Sequence, residues 1–374
     1  RATQINQTGN SVADKRVDLT YDAASQMTGM TRYSDLTGSN QVASSNYSYD
    51  AVGRLTGIKH SKDSNTIADY GWTYDAGSRI KSSTSPDGSS DYSYDKTNQL
   101  TGTDNSDRTD EAYTYDSNGN RTNSGYANGA SNQLLSDGTY NYEYDGEGNR
   151  TKRIEIATGI VDEYVWDYRN RLVSVVTKDG NGSVIKRSEY TYDAFDKRIS
   201  KKVDADGDGA GSATVERFVY DGDNLALVFD GQGNQKERFL HGTGVDEIIA
   251  QENADSQVLW ALGDNQGSVR DVINSNGVVL NHLVYDSFGS VISETNPGVN
   301  FRFGYTGQEE DSETGLRYHG YRYVEGDRFI SEDPTGFSAG DLNLYRYVGN
   351  SPVNYVDPDG LEIALPAPGG LFNG

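Results

Sequence analysis

Two Asp-Pro-x-Gly units lie close together near the C-terminal end of the chain: DPTGF from Asp333 and DPDGL from Asp357. Only 7 prolines occur in 374 residues, so two such units in one short stretch invite a chemical question. Two carboxylates that share one proton can hydrolyse a peptide bond without metal, Ser or Cys. The ionised one takes a proton from water, and the protonated one donates to the carbonyl. Titration then belongs to the pair rather than to either residue. The same units are also good turns. A residue before Pro is driven out of the helical region, and Asp, Pro and Gly at the first, second and fourth positions suit a type I turn. Two Asp-capped turns, or one reacting site aimed by two turns: the residues alone leave both open. Arg328, five residues before Asp333, could hold a carboxylate ionised or polarise a carbonyl, or it could serve a salt bridge of the scaffold.

The scaffold that would position them is a repeat. Tyr-Asp recurs at Tyr21, Tyr49, Tyr74, Tyr94, Tyr115, Tyr144, Tyr192, Tyr220 and Tyr285, with a Trp166-Asp167 variant. Typical units are YSYDAVGRLTGIKH, WTYDAGSRIKSSTS and YEYDGEGNRTKRIE. Aromatic-x-Tyr alternates with period two, which puts both rings on one face of a strand. Asp then opens a turn, Gly or Asn supplies a left-handed residue, and the following Arg starts the return strand. One hairpin cannot bury its own face, so neighbours must stack into a continuous sheet that twists and curls. The expected fold is all-β: an antiparallel strip curling into a Tyr-lined shell, with a change of texture near residue 300.

Composition narrows the function classes. The net charge of -23 disfavours nucleic acid and anionic membranes, which need Lys and Arg. There is no Cys, hence no thiol or disulfide chemistry. No apolar run reaches the about 20 residues of a membrane-spanning helix. With 27 Tyr the chain can build a core despite a mean hydropathy of -0.74. Asp204, Asp206 and Asp208 are spaced like calcium ligands, but Val215 stands where such a loop wants Glu, so an acidic hairpin loop is the competing reading. The four histidines show no metal-ligand spacing, and His319 reads as a packed residue. No cofactor is expected apart from that calcium candidate.

The repeats, together with YTGQEEDSETGLRYHGYRYVEGDRFISEDPTGF and NLYRYVGNSPVNYVDPDGL, resemble the RHS/YD-repeat family and its RHS repeat-associated core. Similar shells occur in Rhs polymorphic toxins, in the C component of Tc toxins and in teneurins. The resemblance implies a hollow cocoon that houses a C-terminal toxin or effector peptide. It implies that Asp333 and Asp357 form an aspartyl-protease-like pair that cuts once, between Leu361 and Glu362. The expected organisation is a shell over 1–300, partial because its upstream strands are missing, a core over 301–361, and a residual peptide over 362–374. The expected partners are the enclosed effector and a delivery-system or N-terminal shell partner, and the expected setting is secreted or on a bacterial surface. A cell-surface adhesion or carbohydrate-binding module with an inert core is the alternative.

Overall fold

Each Tyr-Asp unit folds by the same local bonds. In the computed structural model, which describes residues 1–366, the repeat Tyr ends a strand at a one-residue register slip, as at Ser48/Tyr49 and Thr73/Tyr74. The Asp carboxylate then gathers the turn. One oxygen of Asp75 accepts the N–H groups of Gly77 (2.8 Å) and Arg79 (3.0 Å), and the other accepts Arg79 Nε (2.8 Å). Asp50 and Asp167 repeat this pattern with Arg54 and Arg171. The residue before the Arg is left-handed, so Gly53 serves there without cost, and Ser78 and Asn170 accept the strain.

Neighbouring units are joined by the tyrosines. The Tyr49 hydroxyl donates to Met27 O (2.8 Å), Tyr94 to Ile80 O (2.7 Å), Tyr192 to Leu172 O (2.7 Å) and Tyr220 to Arg198 O (2.9 Å). The Trp166 indole N–H takes the same role toward Arg150 O. Each turn Arg covers the Tyr of the next unit: Arg54 lies 4.6 Å from the Tyr74 centroid and Arg79 4.6 Å from that of Tyr94. A hydrogen bond of about 1 kcal/mol and a cation–π contact of about 0.5–1 kcal/mol thus recur at several joints.

The resulting strip is a meander in which chain order is spatial order. A ten-stranded sheet runs from Gln4–Gly9 to Glu111–Ala112, and a sixteen-stranded sheet from Tyr126–Asn128 to Val291–Glu294. Twist curls the strip back on itself, so that Val17, Leu19, Met30 and Val42 pack on Leu240, Ile249, Trp260 and Ile273. Polar bonds reinforce this seam. Lys15 pairs with Glu252 in the interior, and His60 Nε2 lies 2.9 Å from Gly263 O. His282 sits between Asp87 (2.8 Å) and Asp271 (2.7 Å), with Arg270 also on Asp87.

The His282 clasp gives the seam a pH limit. Its hydrogen bonds to Asp271 and Asp87 raise the imidazole to about 9 from 6.5, against burial. The folded value lies above the unfolded one. The stabilisation, about 2 kcal/mol after allowing for solvent, is therefore complete below pH 6.5 and lost as pH rises through 9. Thermal melting of the wild type is expected to fall between pH 7 and 10, and this limb should vanish in His282→Gln.

Residues after 300 form a compact insert. A four-stranded sheet of Glu309–Asp311, Leu316–His319, Arg322–Glu325 and Arg328–Phe329 lies against the second sheet of the strip. Leu316, Tyr318, Tyr323 and Ile330 pack with Tyr164, Leu172, Val175 and Tyr190. Beneath them, Arg198 and Asp311 form a fully buried ion pair, joined by Lys201 (2.9 Å) and Glu309 (2.9 Å). Asn343, Asn350 and Asn354 bond to Asn120, Gly119 and Tyr94, so the insert also grips the first sheet. Residues 367–374, most of the expected peptide 362–374, lie outside the described residues.

Candidate functional site

The two Asp-Pro units meet at one guanidinium. Arg322 Nη2 lies 2.9 Å from Asp333 Oδ2 and 3.4 Å from Asp357 Oδ2, and all three side chains are buried. Their other oxygens close the turns that the sequence implied. Asp333 Oδ1 accepts the Thr335 N–H (2.8 Å) and hydroxyl (2.6 Å), and Gly336 N–H bonds to Asp333 O (2.9 Å). Asp357 Oδ1 accepts the N–H groups of Gly360 (2.8 Å) and Leu361 (3.0 Å). Turn and site are therefore compatible: each carboxylate uses one oxygen for its own turn and turns the other toward Arg322.

Arg328 does not join this site. It donates to Asn132 O (2.7 Å) and lies over the Tyr345 ring. The reason is the period of a strand. Its neighbour Phe329 faces the site, with the Arg322 guanidinium 3.5 Å from the Phe329 centroid, so Arg328 must point to the opposite face. The arginine between the carboxylates comes instead from the preceding strand, where nearness in sequence to Asp333 gave no clue. Alternation along Arg322–Glu325 and Arg328–Phe329 was the available signal, once the two strands are paired through Val324 and Phe329.

The bond between Leu361 and Glu362 is held in a short closed loop. Val356 and Ala364 exchange both backbone hydrogen bonds, at 2.9 and 2.8 Å, and so clamp the chain on either side of it. Within the loop Gly360 is left-handed, at φ +81°. A Cβ there would stand 2.6 Å from His319 O, so only glycine fits. Arg322 Nε donates to Gly360 O, and Tyr321 N–H donates to Asp359 O (2.9 Å). The Glu362 N–H is also directed at the Asp357 carboxylate. Leu361 is half-buried, whereas Glu362 and Ile363 are exposed.

The electrostatics of the two carboxylates differ. Burial pushes the Asp357 carboxyl up to about 7, with Asp359 adding to the rise and Arg322 opposing it. Asp333 forms the closer ion pair with Arg322. His319 is fully buried and stays neutral, its pKa lowered to about 3 chiefly by burial; its Nδ1 lies 2.7 Å from Asp357 O. It is a strut under the Asp357 backbone, in line with its reading as a packed residue.

The acidic loop at 204–208 turns its carboxylates onto itself. Asp206 Oδ2 accepts the Gly211 N–H (2.8 Å), and Asp204 Oδ1 accepts the Asp206 N–H (3.4 Å). Among the described residues no cluster of His, Asp or Glu is gathered to hold a metal, so Asp204, Asp206 and Asp208 do not converge as calcium ligands. Of the repeat tyrosines that could stack on sugars, Tyr49, Tyr74, Tyr94 and Tyr192 are engaged at the joints between units. Among the described residues no helix is long and apolar enough to cross a membrane.

Comparison with known proteins places these features. The chain is 31% identical over 311 residues to the tRNA3(Ser)-specific nuclease WapA of Bacillus spizizenii, covering 81% of this chain and 11% of that protein. It is 31% identical over 350 residues to the double-stranded DNA deaminase toxin A of Burkholderia cenocepacia, covering 84% and 22%. It thus spans less than a quarter of either relative. The Photorhabdus luminescens Tc holotoxin pore superposes with a TM-score of 0.68 at 20% identity, over 96% of this chain and 21% of that one. This is a likeness of fold. The teneurin YD-shell family model matches residues 39–353, across both sheets and most of the insert, and the chain belongs to that family.

Proposed function

We propose that this chain is the self-cleaving end of an RHS-type shell that houses a C-terminal toxin or effector, and that it cuts itself once between Leu361 and Glu362. One observation carries the reading: two carboxylates from separate turns converge on Arg322 against the loop that holds this bond. Asp333, paired with Arg322, takes a proton from a water molecule whose oxygen adds to the Leu361 carbonyl carbon. Asp357, the carboxyl that burial raises to about 7, supplies in its protonated form the proton that the departing Glu362 nitrogen needs. The products are a chain ending in the Leu361 carboxylate and a peptide beginning with the Glu362 amine. Atoms and charges balance with water as the only co-reactant.

In this reading residues 1–300 are shell, 301–361 the cleaving core, and 362–374 the start of the released segment. The enclosed effector is the principal partner, and a secreted or surface setting follows from that role. Two relatives are named as a nuclease and a deaminase toxin, which is the kind of cargo the reading requires. Intact-mass measurement of freshly purified wild type tests it. A species ending at Leu361 together with a peptide beginning at Glu362 is expected. A chain that stays whole for days at neutral pH, or one cut only after Asp333 or Asp357 as acid-labile Asp-Pro bonds are, would sink it.

A further inference from the structure

Asp246 and Gln308 lie beside the Asp357 turn without contacting Arg322, and neither is explained by the fold alone. Asp246 is half-buried at a pocket that Asp357 and Pro358 also line. Its backbone is left-handed at φ +59°, an uncommon state for a non-glycine residue. Bonds on both sides hold it there: its N–H donates to Asn224 Oδ1 (3.1 Å), and its carbonyl accepts from Ile248 N (2.9 Å). Gly307 presses against that carbonyl so closely that a Cβ at 307 would stand 2.1 Å from it. The next residue, Gln308, therefore arrives directly over Asp246.

The amide of Gln308 then spans two acceptors. Its Nε2 donates to Asp246 Oδ2 at 2.6 Å and to Pro358 O at 3.0 Å. Both partners are oxygens, so both N–H groups of the amide are used and its orientation has one solution. Pro358 is the residue between Asp357 and Asp359, and its carbonyl belongs to the turn that aims the Asp357 carboxyl.

We propose that Asp246 and Gln308 are positioning residues for the self-cleavage, with Asp246 fixing the Gln308 amide and Gln308 fixing the Asp357 turn through the Pro358 carbonyl. The inference rests on the self-cleavage reading above and deepens it. Burial raises the Asp246 carboxyl well above its usual range, opposed by the Gln308 hydrogen bond, and Asn keeps its shape together with an acceptor oxygen. Holding an acid in the left-handed region beside the turn costs stability, and a positioning role accounts for its presence.

The test follows the appearance of the peptide beginning at Glu362 after cell-free synthesis of the full chain. Asp246→Asn, which keeps an acceptor for the amide, should cut at the wild-type rate. Asp246→Ala, Gln308→Glu and Gln308→Met should slow cutting about tenfold or more, because the turn loses its anchor or meets a second acceptor. Slow cutting by Gln308→Met, which keeps the bulk of Gln but lacks its amide N–H groups, is the result that a merely space-filling role would not give. Wild-type rates in Asp246→Ala and Gln308→Met, or an Asp246→Asn as slow as Asp246→Ala, would overturn the inference. Asp333→Asn run in parallel keeps the layers apart. Cutting in that variant removes the carboxylate-pair reading itself, whereas cutting at the wild-type rate in the positioning variants alone removes only this one.

Discussion

Asp357→Asn leaves the chain whole, and so does Asp333→Asn, with a rate loss of about a thousandfold or more when an acid or base of a shared pair is removed. The two variants should differ in stability. Asp357 carries a carboxyl raised from 3.8 to about 7 by burial. A raised folded value means that the ionised group is worse off in the folded chain. The associated stability is present below pH 3.8 and lost as pH rises through 7, a loss on the order of 4 kcal/mol. Asn cannot ionise, so Asp357→Asn should melt higher than wild type at pH 8 and about equally at pH 4. Cleavage by the wild type should fall about tenfold per pH unit above 7, as the proton on Asp357 is lost. Melting curves at the two pH values, with intact mass taken at intervals, check both claims. An Asp357→Asn chain that is still cut, or a rate flat from pH 6 to 9, would refute the assignment of Asp357 as the acid.

Arg198→Met is expected to cost about 3–5 kcal/mol, the usual penalty for stranding half of a buried ion pair. Arg198 and Asp311 are both fully buried, and Lys201 reaches the same carboxylate at 2.9 Å. Burial alone would raise Asp311; the charges of Arg198 and Lys201 overcome it and hold the carboxylate well below its usual range. The pair joins the return strand after Tyr192-Asp193 to the first strand of the insert. Its loss should therefore loosen the insert before the strip. Hydrogen exchange would show early opening at Glu309–Phe329 while the strands from Leu172 to Tyr192 stay protected. Arg198→Met together with Asp311→Leu should recover most of the loss, because replacing both charges removes the stranded one. A double variant as unstable as the single one would show that packing, rather than charge, holds the insert.

The repeat was legible because everything that makes it is local. The Asp carboxylate bonds to N–H groups two and four residues ahead, and the left-handed residue comes between them, so a window of six residues contains the whole turn. The Tyr-to-carbonyl joint reaches one unit back, which period and spacing foreshadow. The return of Val17 and Met30 onto Trp260 was not legible, because it depends on the summed twist of many strands. At the site, the two turns were readable and their meeting was not. Asp333, Asp357 and Arg322 come from three segments, and only the pairing of the insert decides which side chains share a face. Arg328 is close to Asp333 in sequence, but Arg322 is the cation close to it in space. Gln308 and Asp246 gave no sign at all, since an amide and a lone acid acquire meaning only from what they touch.

If the bond inside it is cut as proposed, the clamp between Val356 and Ala364 changes character. Before hydrolysis it closes a loop within one molecule; afterwards the same two backbone bonds join two molecules. At about 1 kcal/mol each, they cannot hold the product for long by themselves. They do keep the new amine and carboxylate side by side until something draws the downstream end away. Tension from that end would part the Ala364 bonds as a zipper opens, so under the proposed function hydrolysis would arm the release and pulling would complete it.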